Sequence, residues 1–140
     1  MQYILVSHGP LASGVLGSAE MILGPQDNVR TLSVVNDTTL EGMTAQIEAA
    51  YDESGQADTV ILCDILGGTP SNASMRFIVG KSNVRILTGL NLPMVIEMFM
   101  AADKSLDELV EIGKQSYTKG LNSFKPEDLV QRESEEDFAL

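Results

Sequence analysis

Three groups of residues in this chain have the composition of a reactive site. The single histidine, His8, follows an apolar run at residues 3–6 and one serine. Asp64 follows a second apolar run at residues 60–63, and the loop Gly67-Gly68-Thr69 comes shortly after it. Each run has the length and composition of a buried strand, so both polar side chains stand at strand ends. We expect the two ends to meet and to make His8 a nucleophile for phosphoryl groups.

A histidine in contact with a carboxylate has a defined reactivity. The carboxylate accepts a hydrogen bond from one ring nitrogen, which fixes the tautomer and leaves a lone pair on the other nitrogen. It also stabilises the positive charge that appears when the ring is phosphorylated or acylated. Gly67-Gly68-Thr69 precedes a predicted helix and offers backbone N–H groups, a hydroxyl and the positive helix end to a phosphoryl group. Such a site needs no lysine.

Each of these features alone also has a structural explanation. A lone histidine is usually structural or exposed, a strand-end aspartate such as Asp64 is often a cap, and many loops contain Gly-Gly-Thr-Pro. A pair of carboxylates, Asp37 and Asp64, is an alternative metal site. The chain lacks the G-x-x-x-x-G-K-[ST] and G-x-G-x-x-G loops of nucleotide sites and the G-x-S-x-G elbow of serine hydrolases. We therefore predict no cofactor and no metal.

Hydrophobic periodicity predicts a regular alternation of strands and helices. The predicted strands cover residues 3–7, 28–35, 59–63 and 84–88, and the predicted helices cover residues 11–23, 39–53, 70–79, 91–102 and 105–121. This order indicates an α/β fold, an open and doubly wound, mainly parallel sheet of order 2-1-3-4 with helices on both faces, in three α/β/α layers. The strand order reverses between strands 1 and 3, so the site is expected outside the carboxyl ends of these strands.

Local signals complete this prediction. Thr38 and Glu41 have the spacing of a capping box, and Thr69 is the expected N-cap of the third helix. Gly14 and Gly17 weaken the first helix by roughly 1 kcal/mol each against alanine. We interpret them as small residues that let this helix pack closely on the sheet.

Composition favours one globular domain. The 140 residues are 44 % hydrophobic, and no apolar run approaches the roughly 18 residues of a membrane span. The start shows no basic region and no cleavage site of a signal peptide, so we expect an intracellular protein. We place the domain at residues 1–124 and an acidic, solvated tail at residues 125–140, because residues 126–137 hold six acids and one base.

Charge and cysteine content exclude several classes of function. The net charge is −11, and the nine lysines and arginines are scattered, which argues against binding to nucleic acid or anionic lipid. The acidity either attracts a basic protein partner or only maintains solubility. The single cysteine, Cys63, lies within an apolar run and is expected to be a buried, inert thiol.

Three motifs resemble a known family when they are taken in this order and spacing. The first is Val6-Ser7-His8-Gly9 followed by Ala19-Glu20-Met21-Ile22-Leu23-Gly24, the second is Asp64-Ile65-Leu66-Gly67-Gly68-Thr69-Pro70-Ser71-Asn72-Ala73, and the third is Gly89-Leu90-Asn91-Leu92-Pro93-Met94. They resemble the enzyme IIA domains of the mannose-type bacterial phosphoenolpyruvate-dependent sugar phosphotransferase system, over residues 3–121.

The resemblance implies a role for each site residue. His8 would take a phosphoryl group from the histidine-containing phosphocarrier protein and pass it to a IIB component of the same sugar permease. Asp64 would orient His8, with the phosphoryl on the ring nitrogen away from it, and Thr69 would lie near the phosphoryl group together with Gly67 and Gly68. Such proteins are usually cytoplasmic homodimers.

The chain departs from the family pattern in two places. Ile65-Leu66 stands where the best-known member has Thr-Trp, so the phosphoryl contacts are expected to rest on backbone N–H groups and Thr69. Residues 122–130 contain Pro126 and do not read as a strand, which argues against exchange of a C-terminal strand between subunits.

Two other functions remain open from the sequence. One is the related phosphotransfer subunit of a dihydroxyacetone kinase, whose histidine motif differs from the one in this chain and whose neighbouring genes would encode that kinase. The other is a non-enzymatic regulatory or binding module, in which replacing His8 with alanine would leave function intact.

Overall fold

The computed structural model describes residues 1–132 and contains four strands and six helices in this range. Residues 133–140 of the predicted tail lie outside the described residues. The elements in chain order are β1 (Gln2–His8), α1 (Leu11–Leu23), β2 (Val29–Val34), α2 (Leu40–Glu53), β3 (Thr59–Cys63), α3 (Thr69–Ile78), β4 (Val84–Thr88), α4 (Leu92–Met100), α5 (Leu106–Lys119) and α6 (Pro126–Arg132).

The four strands form one parallel sheet of order β2-β1-β3-β4. This order confirms the predicted topology, including the reversal between β1 and β3. Because β1 lies between β2 and β3, it is buried along its whole length up to His8, which is the first exposed residue of the strand. The continuous apolar sequence of β1 and β3 follows from burial of both sheet faces.

Helices cover both faces of the sheet, as the α/β/α prediction requires. One core layer joins α1, α4 and α5 to the sheet face that carries Tyr3, Leu5 and Leu62. The other joins α2 and α3 to the face that carries Ile4 and Val6. Side chains alternate between the layers because successive residues of a strand point to opposite faces. His8 belongs to neither core layer and is exposed at the carboxyl end of β1.

Two predicted helix caps are displaced by one residue. Thr39, and not Thr38, caps α2, because its Oγ1 accepts the Gly42 amide at 2.9 Å. Thr38 Oγ1 instead accepts the Val35 amide in the preceding turn. At α3 the N-cap is Gly68, and Thr69 is the first helical residue. The predicted threonine cap was wrong because the Gly67-Gly68 turn ends one residue earlier than the sequence suggests.

The interpretation of Gly14 and Gly17 as packing residues was also wrong. Both are exposed, and an added Cβ at either position would meet no atom within 4 Å. The face of α1 that packs on the sheet is formed by Ala12, Val15 and Ala19. Glycine carries no hydrophobic signal, so its side of the helix follows from its neighbours and not from its own type.

The C-terminal region contains one helix that the sequence analysis did not predict. Pro126 begins α6, and Glu127 and Asp128 lie in its first turn, where acidic side chains favour the helix end. The Asp128 carboxylate accepts the Lys125 amide at 3.2 Å, which caps this end. No helix within residues 1–132 combines the length and the apolar content that membrane crossing requires.

Candidate functional site

The register of β1 and β3 places His8 and Asp64 at the same edge of the sheet. Val6 pairs with Cys63, so β1 extends two residues beyond the end of β3. The Asp64 amide donates to the Val6 carbonyl at 3.3 Å, which sets the aspartate beside the last residues of β1. Its carboxylate then lies alongside His8.

Asp64 binds His8 through both the backbone and the ring. Asp64 Oδ2 accepts the His8 amide at 2.8 Å and lies 2.7 Å from His8 Nδ1. Asp64 Oδ1 accepts the amide of Ile65 at 2.8 Å. Three N–H groups therefore converge on one carboxylate, and the imidazole orientation is fixed from one side.

The environment of Asp64 favours its ionised form. Burial raises the pKa of Asp64, but hydrogen bonds from the His8 amide, the His8 ring and the Ile65 amide outweigh it, so the pKa lies below its usual value. An ionised carboxylate only accepts hydrogen bonds, so the proton between the two side chains belongs to His8 Nδ1. The neutral ring then carries a lone pair on Nε2. The His8 side chain is 49 % exposed and the Asp64 side chain only 10 %, which makes the histidine the accessible member of the pair.

Gly68 lies against the free edge of the His8 ring. An added Cβ at Gly68 would come within 2.7 Å of His8 Cε1 and 3.1 Å of His8 Nε2. Any side chain here would collide with the imidazole, so the close approach of the loop requires glycine. The predicted site residues His8, Asp64 and Gly68 are thus brought into direct proximity.

Gly67 and Thr69 flank this contact. Gly67 has a φ of 97°, which favours glycine, and its amide donates to Ser71 Oγ at 2.9 Å. Because the Gly67 amide already donates to Ser71, the contribution of Gly67 to the predicted phosphoryl-binding loop is the shape of the turn and not a free N–H group. Thr69 begins α3, where the first amides have no acceptor within the helix. Its half-buried hydroxyl makes no hydrogen bond within residues 1–132.

The surface around His8 is apolar and open. Ile65 and Leu66, the two residues that follow Asp64, are both exposed, at 59 % and 71 %. A shallow groove of about 490 Å³ runs from His8 along α1, past Leu11 and Gly14. Across residues 1–132, no three histidine, cysteine or acidic side chains stand close enough together to hold a metal ion.

Two buried serines were missed as contributors to the site. Ser7 Oγ accepts the Ala12 amide at 2.8 Å and donates to the Gly9 carbonyl at 3.3 Å, which fixes the turn after His8. Ser71 holds the Gly67-Gly68 turn in a similar way. Ser7 could have been identified as a polar residue at a buried strand position. Serine in the first turn of a helix is too common for the sequence to have identified Ser71.

Comparison with known proteins gives a consistent match. The family model EIIA-man, described as "PTS system fructose IIA component", matches residues 2–113. The chain is 34 % identical over 128 residues to the "PTS system mannose-specific EIIAB component" of Escherichia coli K12, which covers 87 % of this chain and 39 % of that protein. This chain thus spans about two fifths of that relative. It is 32 % identical over 111 residues to the "PTS system sorbose-specific EIIA component" of Lacticaseibacillus casei, which covers 79 % of this chain and 80 % of the relative.

A solved structure with a related sequence has the same fold. The mannose/sorbose-specific IIA subunit of the phosphotransferase system from Enterococcus faecalis superimposes with a TM-score of 0.82 at 31 % identity. The match covers 89 % of this chain and 94 % of that one. The residues matched by the family model, 2–113, include His8 and Asp64.

Proposed function

Because the chain belongs to the mannose-type EIIA family of the sugar phosphotransferase system, we propose that His8 carries a phosphoryl group between two proteins. The group would come from the histidine-containing phosphocarrier protein and go to a IIB component of the same permease. The observation that carries this proposal is the 2.7 Å contact between His8 Nδ1 and Asp64 Oδ2. It leaves Nε2 as the exposed nucleophilic nitrogen.

The proposed transfer moves one phosphoryl group between two imidazole rings. The Nε2 lone pair of His8 attacks the phosphorus of the phosphohistidine on the carrier, and a new N–P bond forms. The N–P bond of the donor breaks, and its electron pair returns to the donor ring. The His8 ring becomes positively charged at this stage, and the ionised Asp64 stabilises that charge. The Nδ1 proton stays between the two side chains throughout.

The start of α3 is the proposed site for the phosphoryl oxygens. Gly68 lies beside His8 Cε1 and Nε2, and α3 begins at the next residue, Thr69. The proposed donors are the Gly68 and Thr69 amides, the Thr69 hydroxyl and the positive end of this helix. Pro70 has no N–H group to offer, so the threonine supplies both a backbone and a side-chain donor. No lysine or arginine is required in this arrangement.

The partners follow from the proposed carrier role. An exposed histidine on an open surface suits reaction with two proteins in turn, because each partner protein can reach the ring without entering a deep cavity. A net charge of −11 favours encounter with basic protein surfaces. We further propose a cytoplasmic homodimer, with the carrier domain at residues 1–124 and the acidic tail at residues 125–140.

Phosphorylation of the full chain tests this function. The protein is incubated with phosphoenolpyruvate, enzyme I and the phosphocarrier protein, and its intact mass is measured. We expect one phosphoryl adduct that acid removes and base does not, as the N–P bond of phosphohistidine requires. Absence of any adduct on the folded protein would overturn the proposal and leave a binding or regulatory module.

Gly68→Ala is expected to reduce phosphoryl uptake by about tenfold or more. The new methyl group would push the His8 ring away from its position beside Asp64, because 2.7 Å is too short for two carbon atoms. The φ of −96° at Gly68 is accessible to alanine, so the free energy of unfolding should fall by at most about 1 kcal/mol. Initial rates of uptake and urea unfolding measure the two effects separately.

Gly17→Ala is the matched control for this variant. It adds the same methyl group at an exposed position where the Cβ meets nothing. We expect unchanged uptake and a gain of roughly 1 kcal/mol in stability, since alanine is the better helix former. Equal uptake rates in the two variants would show that Gly68 does not position the ring.

A further inference from the structure

Ser71 is a fully buried polar residue whose hydroxyl, among the described residues 1–132, bonds only to the loop beside His8. It is the third residue of α3, and its side chain has no exposed area. A buried hydroxyl must find hydrogen-bond partners. Ser71 Oγ accepts the Gly67 amide at 2.9 Å and donates to the Gly68 carbonyl at 3.2 Å. Both of its bonds therefore hold the Gly67-Gly68 turn onto the helix.

This turn determines how closely α3 approaches the histidine. Gly67 adopts a positive φ, and Gly68 then runs extended along the edge of the His8 ring. The space between Gly68 and the His8 ring is too small for a single methyl group. A shift of a few tenths of an ångström in the turn would change the distance from His8 Nε2 to the Gly68 and Thr69 amides.

The loop is fixed at both of its ends by side chains of the site. Asp64 Oδ1 accepts the amide of Ile65 at the start of the loop, and Ser71 accepts the amide of Gly67 near its end. Between these two points Leu66 is exposed and makes no hydrogen bond within the described residues 1–132. Ser71 is thus the anchor for the half of the loop that faces Nε2.

We propose that Ser71 is a positioning residue for phosphoryl transfer, which holds the Gly68 and Thr69 amides at bonding distance from a phosphoryl group on His8. This inference rests on the proposed function of His8. Ser71 does not touch the reacting atoms and acts through the Gly67-Gly68 turn.

Ser74 provides a matched control on the same helix. It is also fully buried, but its hydroxyl donates to the Pro70 carbonyl within the helix at 2.7 Å and lies 3.3 Å from Cys63 Sγ. It makes no hydrogen bond to the loop. A purely structural role for buried hydroxyls of α3 would make the two serines equivalent.

The kinetic test compares Ser71→Ala with Ser74→Ala in the full chain. We expect Ser71→Ala to lower the maximal rate of phosphoryl uptake from the phosphocarrier protein by about tenfold, with an unchanged KM for that donor. Ser74→Ala should stay within about twofold of wild type in both parameters. Equal rates in the two variants, or a change confined to KM, would overturn the inference. Ser71→Cys replaces the hydroxyl with a slightly larger thiol that is a weaker hydrogen-bonding group, and it serves as the second variant where alanine destabilises the fold.

A second measurement does not depend on phosphoryl chemistry. Hydrogen exchange of the Gly67 amide, followed by NMR, should be slow in wild type and Ser74→Ala and fast in Ser71→Ala. A Gly67 amide that stays protected in Ser71→Ala would overturn the anchor role. If wild type accepts no phosphoryl group at all, the proposed function fails; if wild type is active and Ser71→Ala matches it, only this inference fails.

Discussion

His8→Ala is expected to abolish phosphoryl uptake completely. His8 is the only histidine of the chain, so no second imidazole exists that could accept the group. Its side chain is the exposed half of a pair whose other half is nearly buried, which means that alanine removes the nucleophile without opening the core. Intact mass after incubation with phosphoenolpyruvate, enzyme I and the phosphocarrier protein should show no adduct, with unfolding in urea close to that of wild type.

The control for this variant keeps the shape of the site. His8→Gln places an amide near the position of the ring and should also take up nothing, because an amide nitrogen is not a nucleophile. In wild type, heteronuclear NMR should locate the phosphoryl group on Nε2, since Nδ1 is bonded to Asp64. An acid-labile adduct in His8→Ala, or a group on Nδ1 of wild type, would contradict the assignment.

The arrangement of the site at the sheet edge could be predicted from the sequence. The apolar runs that precede His8 and Asp64 contain no alternating polar residues, which predicts strands that are buried on both faces of the sheet. Alternation with helices then required parallel strands, whose carboxyl ends share one edge. Right-handed crossovers limit the possible strand orders, and the structure has the predicted one, β2-β1-β3-β4.

The details of the loop could not be predicted in the same way. Thr69 is a good N-cap by type, but Gly68 takes the capping position after the positive φ of Gly67, so the helix begins at Thr69, one residue earlier than a threonine cap would start it. Ser71 folds back onto this turn, a contact that depends on the loop path and leaves no mark in the hydrophobic pattern. Tertiary contacts of this kind override the local preferences of single residues.

Asp64→Asn is expected to slow phosphoryl uptake by about a hundredfold or more. The carboxylate accepts three N–H groups, two from His8 and one from Ile65. Asparagine has one acceptor oxygen and one donor NH₂, so either orientation leaves an N–H group facing a donor. If the NH₂ group faces the ring, the ring proton moves to Nε2 and the nucleophilic lone pair is lost. If the oxygen faces the ring, the negative charge that stabilises the phosphorylated imidazole is still missing. Quenched time courses with the phosphorylated carrier protein measure the rate of phosphoryl uptake.

The pH dependence of stability separates this charge effect from a general loss of structure. Because the pKa of folded Asp64 lies below its ordinary value of 3.8, the carboxylate stabilises the fold above that value, and the gain is lost as the pH falls through the folded-state pKa. The difference in unfolding free energy between wild type and Asp64→Asn should therefore be largest near neutral pH and shrink below about pH 4. Asp37→Asn removes an equal charge from an exposed turn after β2 at the same sheet edge, and its uptake rate should match wild type. A rate in Asp64→Asn as fast as in Asp37→Asn would mean that the aspartate does not prepare His8 for transfer.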